Sequence, residues 1–416
     1  MLPPLLALAL AASPDTLPDP LTLDALQAAA RAHNPGLRAA AQREVSARQR
    51  GDAEGSLPSP ELSADIWRLP LDQPWNLYES SMVMVTFRQR LPAWGVRGAK
   101  QEALEAESAG EGARREAMGL ELDRAVAEAF VAFREAHARH AVHTKHLEVL
   151  GRVVEVAQGR LTAGGRLDDV AQATRERAKL EADVAVEHAG VARAAAKVNA
   201  LLGRPMDAPL GTPAPWTDET VTLSAEQLLE AAHAARPELK LAASQEKKAQ
   251  ASAHAAKQEA LAPAVSLGLS YFPPIRMAPT HGLGVSVAVE LPWLWGGRFS
   301  QKDGEVTMAG AAREETADVT YRLAIEVASA LAAVREATVR VKALEQLAVP
   351  AARRAEDVSL AAYRAGGQDV QGLLAAEQAV VALDVAVVEA RAALDLALVQ
   401  LDWAVGGKAP RSAMAP

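Results

Sequence analysis

Cysteine is absent from the 416 residues of the chain. Its absence excludes disulfide bonds, thiolate metal sites, cysteine nucleophiles and a lipid anchor on an N-terminal cysteine. Aromatic residues are scarce as well, at 4% of the chain, although 50% of the residues are hydrophobic. Large globular cores draw their bulk from aromatic side chains, whereas alanine, abundant here, has the highest helix propensity. The composition therefore favours long helices over a large globular core.

An excess of positive charge is also missing, because the formal net charge is -8 at pH 7. A nucleic-acid partner would require a basic face, so we expect no nucleic-acid binding. The sequence contains no phosphate-binding glycine loop, no HExxH motif and no GxSxG motif with suitable partner residues. We therefore expect no catalytic residue and no cofactor, and the protein is predicted not to be an enzyme.

Apolar runs long enough for a membrane-spanning helix are missing too, since such a helix needs about 20 mostly apolar residues. The longest uncharged run, 261–275, is broken by Pro263, Gly268 and the pair Pro273-Pro274. If the chain spans a membrane, the sequence predicts that it does so with strands.

The N-terminal segment has features of an export signal. An apolar stretch covers residues 5–12, and Ala9-Leu10-Ala11 within it fits the small-x-small pattern of a signal-peptidase site. The positively charged leader usual in such peptides is not present. We predict a signal peptide at residues 1–12 and export from the cytosol.

The chain repeats itself once. Four short segments recur in the same order at an offset of roughly 200 residues, which indicates two copies of one unit. The pairs of matching segments are 21–23 with 221–223, 34–37 with 236–239, 90–97 with 290–298, and 161–165 with 363–367. The predicted organisation is a first repeat at 13–203, a linker at 204–220, a second repeat at 221–407 and a C-terminal tail at 408–416.

Each predicted repeat has the same internal order. A helix broken at a proline leads to two short strands, a very long helix at 97–163 or 298–365, a Gly-Gly turn and a returning helix. The long helices carry hydrophobic residues at alternating steps of three and four, a spacing typical of helices packed along their length. Two such seams are Val327, Ala330, Val334, Ala337, Val341, Leu344, Ala348 and Ala351, and Val380, Leu383, Val387, Ala390, Leu394, Ala397, Leu401 and Ala404.

The four strand-like segments, at 62–67, 83–88, 265–272 and 283–290, alternate apolar with small or polar residues. This period-two pattern is typical of transmembrane barrel strands, which face lipid on one side and water on the other. Four strands are too few to close a barrel, and an open edge in lipid leaves backbone groups unpaired. The subunit is therefore predicted to share its strands with other copies. The alternative is a pair of ordinary hairpins that cap a helical bundle.

This order of elements, given twice, resembles the TolC-like outer-membrane factors. Residues 21–40 look like the opening helix of that family with its Asn-Pro-x-Leu break, and residues 363–367 with Leu373-Leu374 resemble its periplasmic tip. The resemblance implies a mainly α fold with a β-barrel portion, in which antiparallel coiled-coil helices form an α-barrel and four strands per chain join a shared 12-stranded barrel. It also implies a homotrimer in the outer membrane of a Gram-negative bacterium, extending into the periplasm. The implied partners are a periplasmic adaptor protein, an inner-membrane pump of the resistance-nodulation-division type, and lipid.

The resemblance also assigns residues to the tip that contacts the adaptor. They are Gly164, Gly165, Asp168, Asp169, Tyr363, Gly366, Gly367, Asp369 and Gly372. The glycines are expected to reverse the chain between helices, and Asp168, Asp169 and Asp369 to face the partner or the pore. Gly372 stands where the family often has an aspartate of the closed aperture, so the identity of the aperture carboxylates stays open.

The substrate is left open among several classes. Residues 58–62 and the Leu-Pro sequences after the second and fourth strands resemble heavy-metal efflux members. A drug-efflux channel and a type I secretion channel are alternatives, because the pump largely selects the substrate. A soluble periplasmic coiled-coil scaffold is the alternative from a different class.

Two groups of side chains are further candidates. His137, His140, His143 and His146 lie three residues apart on one helix, so neighbouring pairs could each offer two imidazoles to zinc or copper. The alternative is a solvated surface, indicated by the charged residues around them. Tryptophans near the strand ends are candidates for an interfacial belt or for plain packing. These are Trp67, Trp75, Trp94, Trp293 and Trp295.

Overall fold

The computed structural model describes residues 17–69, 71–217, 219–294 and 296–413. The predicted signal peptide at 1–12 lies outside these ranges. The helices are α1 (Leu23–His33), α2 (Pro35–Glu54), α3 (Val96–Thr162), α4 (Leu167–Leu201), α5 (Ala225–Ala235), α6 (Pro237–Leu261), α7 (Gly297–Ala343), α8 (Val349–Arg364) and α9 (Val370–Val405). The strands are β1 (Glu61–Trp67), β2 (Met82–Leu91), β3 (Glu219–Val221), β4 (Ala264–Phe272), β5 (Gly282–Glu290) and β6 (Arg411–Ala413). The predicted long helices and four strands are confirmed to within a few residues.

Proline sets the breaks between the first helices of each half. Pro35 begins α2 and Pro237 begins α6. The preceding residues, Asn34 and Arg236, are extended, with ψ of 116° and 120°, because a residue before proline disfavours the helical region. The Asn34 side chain accepts a hydrogen bond from the Leu37 N–H at 3.0 Å, which caps α2.

A five-residue π-helical segment, Leu344–Ala348, separates α7 from α8. The sequence predicted one uninterrupted helix here except for Pro350. Proline has no N–H to donate and its ring crowds the carbonyl four residues earlier, which lies inside this segment. The wider turn therefore accommodates Pro350 within a helix that continues through it.

The chain divides into two compact units. One comprises residues 38–116 and 237–321, and contains the strands β1, β2, β4 and β5 in a single antiparallel sheet of that order. The two predicted hairpins join because β2 pairs with β4, and Phe87 lies opposite Leu269 in the register. Neither β1 nor β5 pairs with a further strand among the described residues, so both edges of the sheet are open.

The two faces of this sheet differ in chemistry. On one face the large side chains are exposed, and we call it the apolar face; it carries Leu62, Ile66, Phe87, Leu267, Leu269, Tyr271, Leu283, Val285, Val287 and Val289. The opposite face, which we call the polar face, carries Ser63, Thr86, Arg88, Gly268, Ser270, Gly284 and Ser286 along most of its length, and Trp67, Met82, Met84 and Phe272 towards one end. Thr86 and Ser270 are buried there, and their hydroxyl oxygens lie 2.9 Å apart in a hydrogen bond.

The second unit comprises residues 17–37, 117–236 and 322–413 of the described chain. In it α9 packs against α4, α5 and α8. The predicted seams supply much of the core: Val327, Ala330, Val334, Val341, Val380, Ala390, Leu394, Leu401 and Ala404 are buried. None of the described helices has both the length and the hydropathy needed to cross a membrane.

Two short strands of this unit were not predicted. β3 lies at the end of the predicted linker and β6 in the predicted tail, and the two pair antiparallel with Thr220 opposite Ser412. Arg411 holds them to the core, because its guanidinium donates to Glu219 at 3.1 Å and also bonds Asp402 on α9. The linker is therefore ordered against the tail at this point.

Candidate functional site

The two glycine turns close the helical hairpins α3–α4 and α8–α9. Gly164 and Gly366 have φ of +91° and +79°, a left-handed conformation that glycine adopts without steric cost. The Gly165 N–H donates to the Arg160 carbonyl at 2.8 Å, and the Gly367 N–H donates to the Ala362 carbonyl at 2.9 Å. Each turn therefore ends its helix with the same glycine-dependent cap.

Tyr363 connects one hairpin to the other. Its side chain is fully buried, and its hydroxyl donates to Asp169 Oδ2 of α4 at 3.2 Å. From α3, Arg160 Nη1 donates to the Tyr363 carbonyl at 2.8 Å, and the guanidinium carbon lies 4.3 Å from the centre of the ring. Burial and the nearby Asp169 charge raise the pKa of Tyr363, so the phenol keeps the proton that it donates.

An apolar cluster packs beside this contact and includes residues of all four helices. Its members are Leu150, Val153, Val154, Ala173, Leu180, Tyr363, Val370, Leu373 and Leu374. Burial of each leucine or valine side chain in the cluster contributes about 1.5–3 kcal/mol relative to exposure. The two turns are therefore held at the end of one packed bundle of helices.

The three aspartates at the turns have different surroundings. Asp169 is 8% exposed and bonded to Tyr363, so the expectation that it faces a partner or the pore is wrong within this chain. Asp168 is exposed and accepts a hydrogen bond from Gln172 at 2.8 Å. Asp369 is also exposed and caps α9, accepting from the Gly372 N–H at 3.0 Å. Asp168 and Asp369 are therefore the carboxylates available at the surface of the two turns.

The histidines of α3 occupy different environments, as their winding around the helix predicts. The ring of His137 packs edge-on against Phe133, with ring centres 4.7 Å apart. Burial lowers the pKa of His137, and the neighbouring His140 lowers it further. His140 lies 5.8 Å, ring centre to ring centre, from His188 on α4. The Nδ1 atom of His143 is buried and has no hydrogen-bond partner in the part of the chain that the structure describes.

His146 departs from the solvated surface that its charged neighbours indicated, because it is only 4% exposed. Its Nδ1 lies 2.7 Å from Glu377 Oε1, and its Nε2 lies 3.1 Å from Asp384 Oδ2. Sequence reasoning missed both carboxylates. Their spacing of seven residues on α9 was the available signal, since it places them on one face of the helix.

The possible His, Asp and Glu ligands of a metal ion lie in groups of fewer than three among the described residues. Among the residues that the structure describes, no set of three or more His, Asp or Glu side chains is arranged to hold a metal ion. The contact between His140 and His188 offers two imidazoles from two helices, and His188 was not among the predicted ligands.

The tryptophans near the strands are mostly accessible. Trp75 and Trp94 are almost completely exposed, and Trp67 and Trp293 are partly exposed. Trp75 and Trp94 are therefore not packed inside this chain. Trp295 lies outside the described residues.

No protein-family model matches the sequence, and no curated protein sequence matches it. Among solved structures, CusC, which forms a transmembrane channel, superposes with a TM-score of 0.79 at 19% identity, covering 92% of each chain. The outer membrane protein VceC from Vibrio cholerae has a TM-score of 0.76 at 20% identity, covering 93% of this chain and 97% of that one.

The open-state outer membrane channel MtrE from Neisseria gonorrhoeae is similar to the same degree. Its TM-score is 0.76 at 21% identity, and the match covers 94% of this chain and 91% of MtrE. Because these matches cover more than nine-tenths of each chain, they include both the long helices and the four-stranded sheet. The chain therefore has the fold of the TolC-like outer-membrane factors, which its sequence motifs predicted.

Proposed function

We propose that the chain is the outer-membrane channel subunit of a tripartite efflux system in a Gram-negative bacterium, and that it conducts substrates passively without catalysis. The observation that carries the proposal is the apolar face of the sheet. Its ten large side chains are exposed to the outside of the chain, whereas the opposite face carries small and polar side chains except towards one end. A sheet with this division of faces fits between lipid and water.

The open edges of the sheet support a shared barrel. In lipid, unpaired N–H and C=O groups on β1 and β5 would cost several kcal/mol each. Pairing β5 of one chain with β1 of the next removes both edges. Three chains bring twelve strands, whereas two would bring eight, which makes a barrel that side chains fill. We therefore propose a homotrimer with a 12-stranded barrel. Each chain contributes four strands, two from each repeat of its sequence.

The glycine turns are proposed as the periplasmic tip that contacts an adaptor protein, itself bound to an inner-membrane pump of the resistance-nodulation-division type. The support is the rigid frame around Tyr363, which presents Asp168 and Asp369 outward at the end of the helices. Exposed carboxylates on ordered turns are suited to bind a basic surface of a partner.

Covalent linkage across the sheet edges tests the trimer. Because the chain contains no cysteine, a double variant Ser63→Cys and Ala288→Cys reports only on β1 and β5. Treated in membranes with a bismaleimide, which bridges a range of registers, it is expected to give covalent dimers and trimers on a denaturing gel.

The matched control is the pair Thr86→Cys and Ser270→Cys on the central strands, whose side chains already touch within one chain. It is expected to stay monomeric on the gel. A monomeric edge variant in the membrane fraction would contradict the trimer, and recovery of the chain in the soluble periplasm would support the coiled-coil scaffold instead.

For the substrate, we propose divalent heavy-metal cations. The observation that favours them over drugs or secreted proteins is the approach of His140 to His188, at 5.8 Å between ring centres. Two neutral imidazoles bind zinc or copper weakly, with water completing the coordination. A weak site is compatible with passage of the ion. His137 and His143 would extend the set along α3.

Paired substitutions test the metal contact. The double variant His140→Gln and His188→Gln is expected to weaken zinc or copper binding at least tenfold in titration calorimetry and to lower metal resistance of the host. The control His33→Gln removes one exposed imidazole elsewhere. His146 is left intact, because its loss would strand Glu377. Unchanged metal affinity and unchanged resistance would restrict these histidines to a surface role.

A further inference from the structure

The polar face of the sheet changes in character at the end where the chain turns from β1 to β2. Alternation along β2 places Met82 and Met84 on the same face as Thr86, whose hydroxyl bonds that of Ser270. Small side chains fill the middle of this face, but both methionines are long, and both are half-buried. Two thioethers therefore lie side by side at this end of the polar face.

Strand β1 supplies the neighbours of the two methionines. In the register, Asp65 lies opposite Met84, and Trp67 lies opposite Met82. Side chains directly opposite each other in an antiparallel pair have Cβ atoms about 4.5–5.5 Å apart. The two methionines, two residues apart on one strand, have Cα atoms roughly 7 Å apart. These four side chains therefore lie close together, and we call them the thioether group.

Phe272, the other large side chain at this end of the polar face, turns away from the thioether group. A Cβ atom added to Gly284 would lie 3.1 Å from Phe272 Cε2, and one added to Gly282 would lie 3.6 Å from its Cδ2. The ring therefore lies over the two glycines of β5. Because β5 and β2 flank β4 on opposite sides, the ring extends away from the methionines of β2.

The thioether group contains a carboxylate without a cation. At the other end of the polar face, Glu61 pairs with Arg88 at 3.7 Å. Beside them Glu290 pairs with Arg90 at 2.8 Å. The Asp65 side chain is exposed and forms neither an ion pair nor a hydrogen bond with another described residue. The group therefore carries one uncompensated negative charge, which attracts a cation.

The donor atoms of the group indicate the kind of cation. Thioether sulfur is a soft ligand that selects Cu(I) rather than hard ions such as Mg²⁺ or Ca²⁺. Ag(I) has the same charge as Cu(I) and a similar softness. The three rotatable bonds of a methionine side chain allow both sulfur atoms to reach one ion. An aromatic ring beside the site, here Trp67, also attracts a cation.

We propose that Met82 and Met84 form a binding site for a soft monovalent metal ion, Cu(I) or Ag(I), beside the charge of Asp65 and the indole of Trp67. The site is separate from the histidines of α3, which offer imidazoles to divalent ions. Binding of the ion is a property of one chain. Only the position of the site at the outer mouth of a pore rests on the proposed function.

Protection of the methionines from chemical labelling tests the proposal. The purified full chain, in a chloride-free nitrate buffer, is treated with a methionine-selective oxaziridine while silver nitrate is titrated, and mass spectrometry gives the labelling rate of each methionine. When silver exceeds its dissociation constant about tenfold, about a tenth of the sites stay free, so Met82 and Met84 should be labelled about tenfold more slowly. The exposed Met206 of the linker and Met308 of α7 should keep their rates.

Three variants separate a shared site from independent thioethers. Met82→Leu removes one sulfur atom at nearly constant side-chain volume, and Met84 should then lose most of its protection by silver. Asp65→Asn removes the charge beside the site and should weaken silver binding about fivefold. Met308→Leu is the matched control on α7, and it should leave the protection of Met82 and Met84 unchanged.

Equal labelling of Met82 and Met84 with and without silver in the wild-type chain overturns the proposal, and the group is then an apolar rim of the sheet. This measurement needs no substitution, so it does not depend on the folding of a variant. Full protection of Met84 in Met82→Leu overturns the shared site as well. Because labelling measures neither efflux nor assembly, failure of the channel proposal would leave the expected protection unchanged, and loss of protection would leave the cross-linking of the trimer unchanged.

Discussion

Replacing Val285 with arginine is expected to lower the amount of chain assembled in the outer membrane by more than tenfold. Val285 is 81% exposed near the middle of β5, on the apolar face and opposite Leu269 of β4. An arginine at the midplane of a membrane barrel costs about 2–4 kcal/mol, and a trimer would carry three. Flotation of membranes on a density gradient, with immunodetection of the chain, measures the assembled fraction.

The neighbouring residue provides the matched control. Ser286→Arg adds the same side chain to the same strand, but on the polar face, opposite Gly268. In the proposed barrel that face meets water, so the variant is expected to assemble at close to the wild-type level. If the two arginines are tolerated equally, the apolar face does not contact lipid and the barrel proposal fails.

The double variant Gly165→Val and Gly366→Val is expected to abolish efflux while leaving the sheet intact. A Cβ atom at Gly165 would lie 2.8 Å from the Arg160 carbonyl oxygen and 2.9 Å from its carbon, and this backbone cannot move aside as a side chain can. Such overpacking costs about 1–3 kcal/mol, and valine at the left-handed Gly366 adds about 1–2 kcal/mol. Displacement of Arg160 would also release its contacts with Tyr363.

Survival of the native host on dyes, detergents and metal salts measures the loss. The double variant should be as sensitive as a strain that lacks the gene, with an unchanged amount of chain in the membrane. The control is Gly159→Val on α3, where an added Cβ would meet no atom within 4 Å. This variant should behave like the wild type. Normal resistance in the double variant would show that the turns are not the contact with the rest of the system.

Local patterns predicted the elements of this fold well. Proline and the Gly-Gly pairs mark the helix ends, and period-two alternation marks the four strands, because backbone restrictions act at those positions themselves. Assignment of the turns to a tip came from a resemblance and not from chemistry. The structure adds what holds them together, which is the contact of Tyr363 with Asp169 across 194 positions of sequence.

Contacts between distant segments could not be predicted, because local patterns report only on the positions where they occur. The charged neighbours of His146 indicate a solvated helix, yet the ring is buried because α9 supplies two carboxylates, the nearer one 231 positions away. Likewise β3 and β6 are three residues each, too short for a periodic pattern, and pair because Arg411 connects β3 to α9. Single-sequence patterns contain no information on which distant segment completes a contact.

The pairing of β2 with β4 also has a consequence for the order of folding. The hydrogen bond between Thr86 and Ser270 joins residues 184 positions apart, whereas that between Tyr271 and His281 joins residues 10 apart. In an unfolded chain, closing the longer loop costs roughly 2–3 kcal/mol more in entropy, and such non-local pairings form slowly. The β4–β5 hairpin can thus close as soon as its two strands are synthesised, whereas β2 (Met82–Leu91) is synthesised long before β4 (Ala264–Phe272) and must wait for it. Until then the unpaired edge of β2 is open to other chains, so a nascent or truncated chain should need a chaperone that covers this edge.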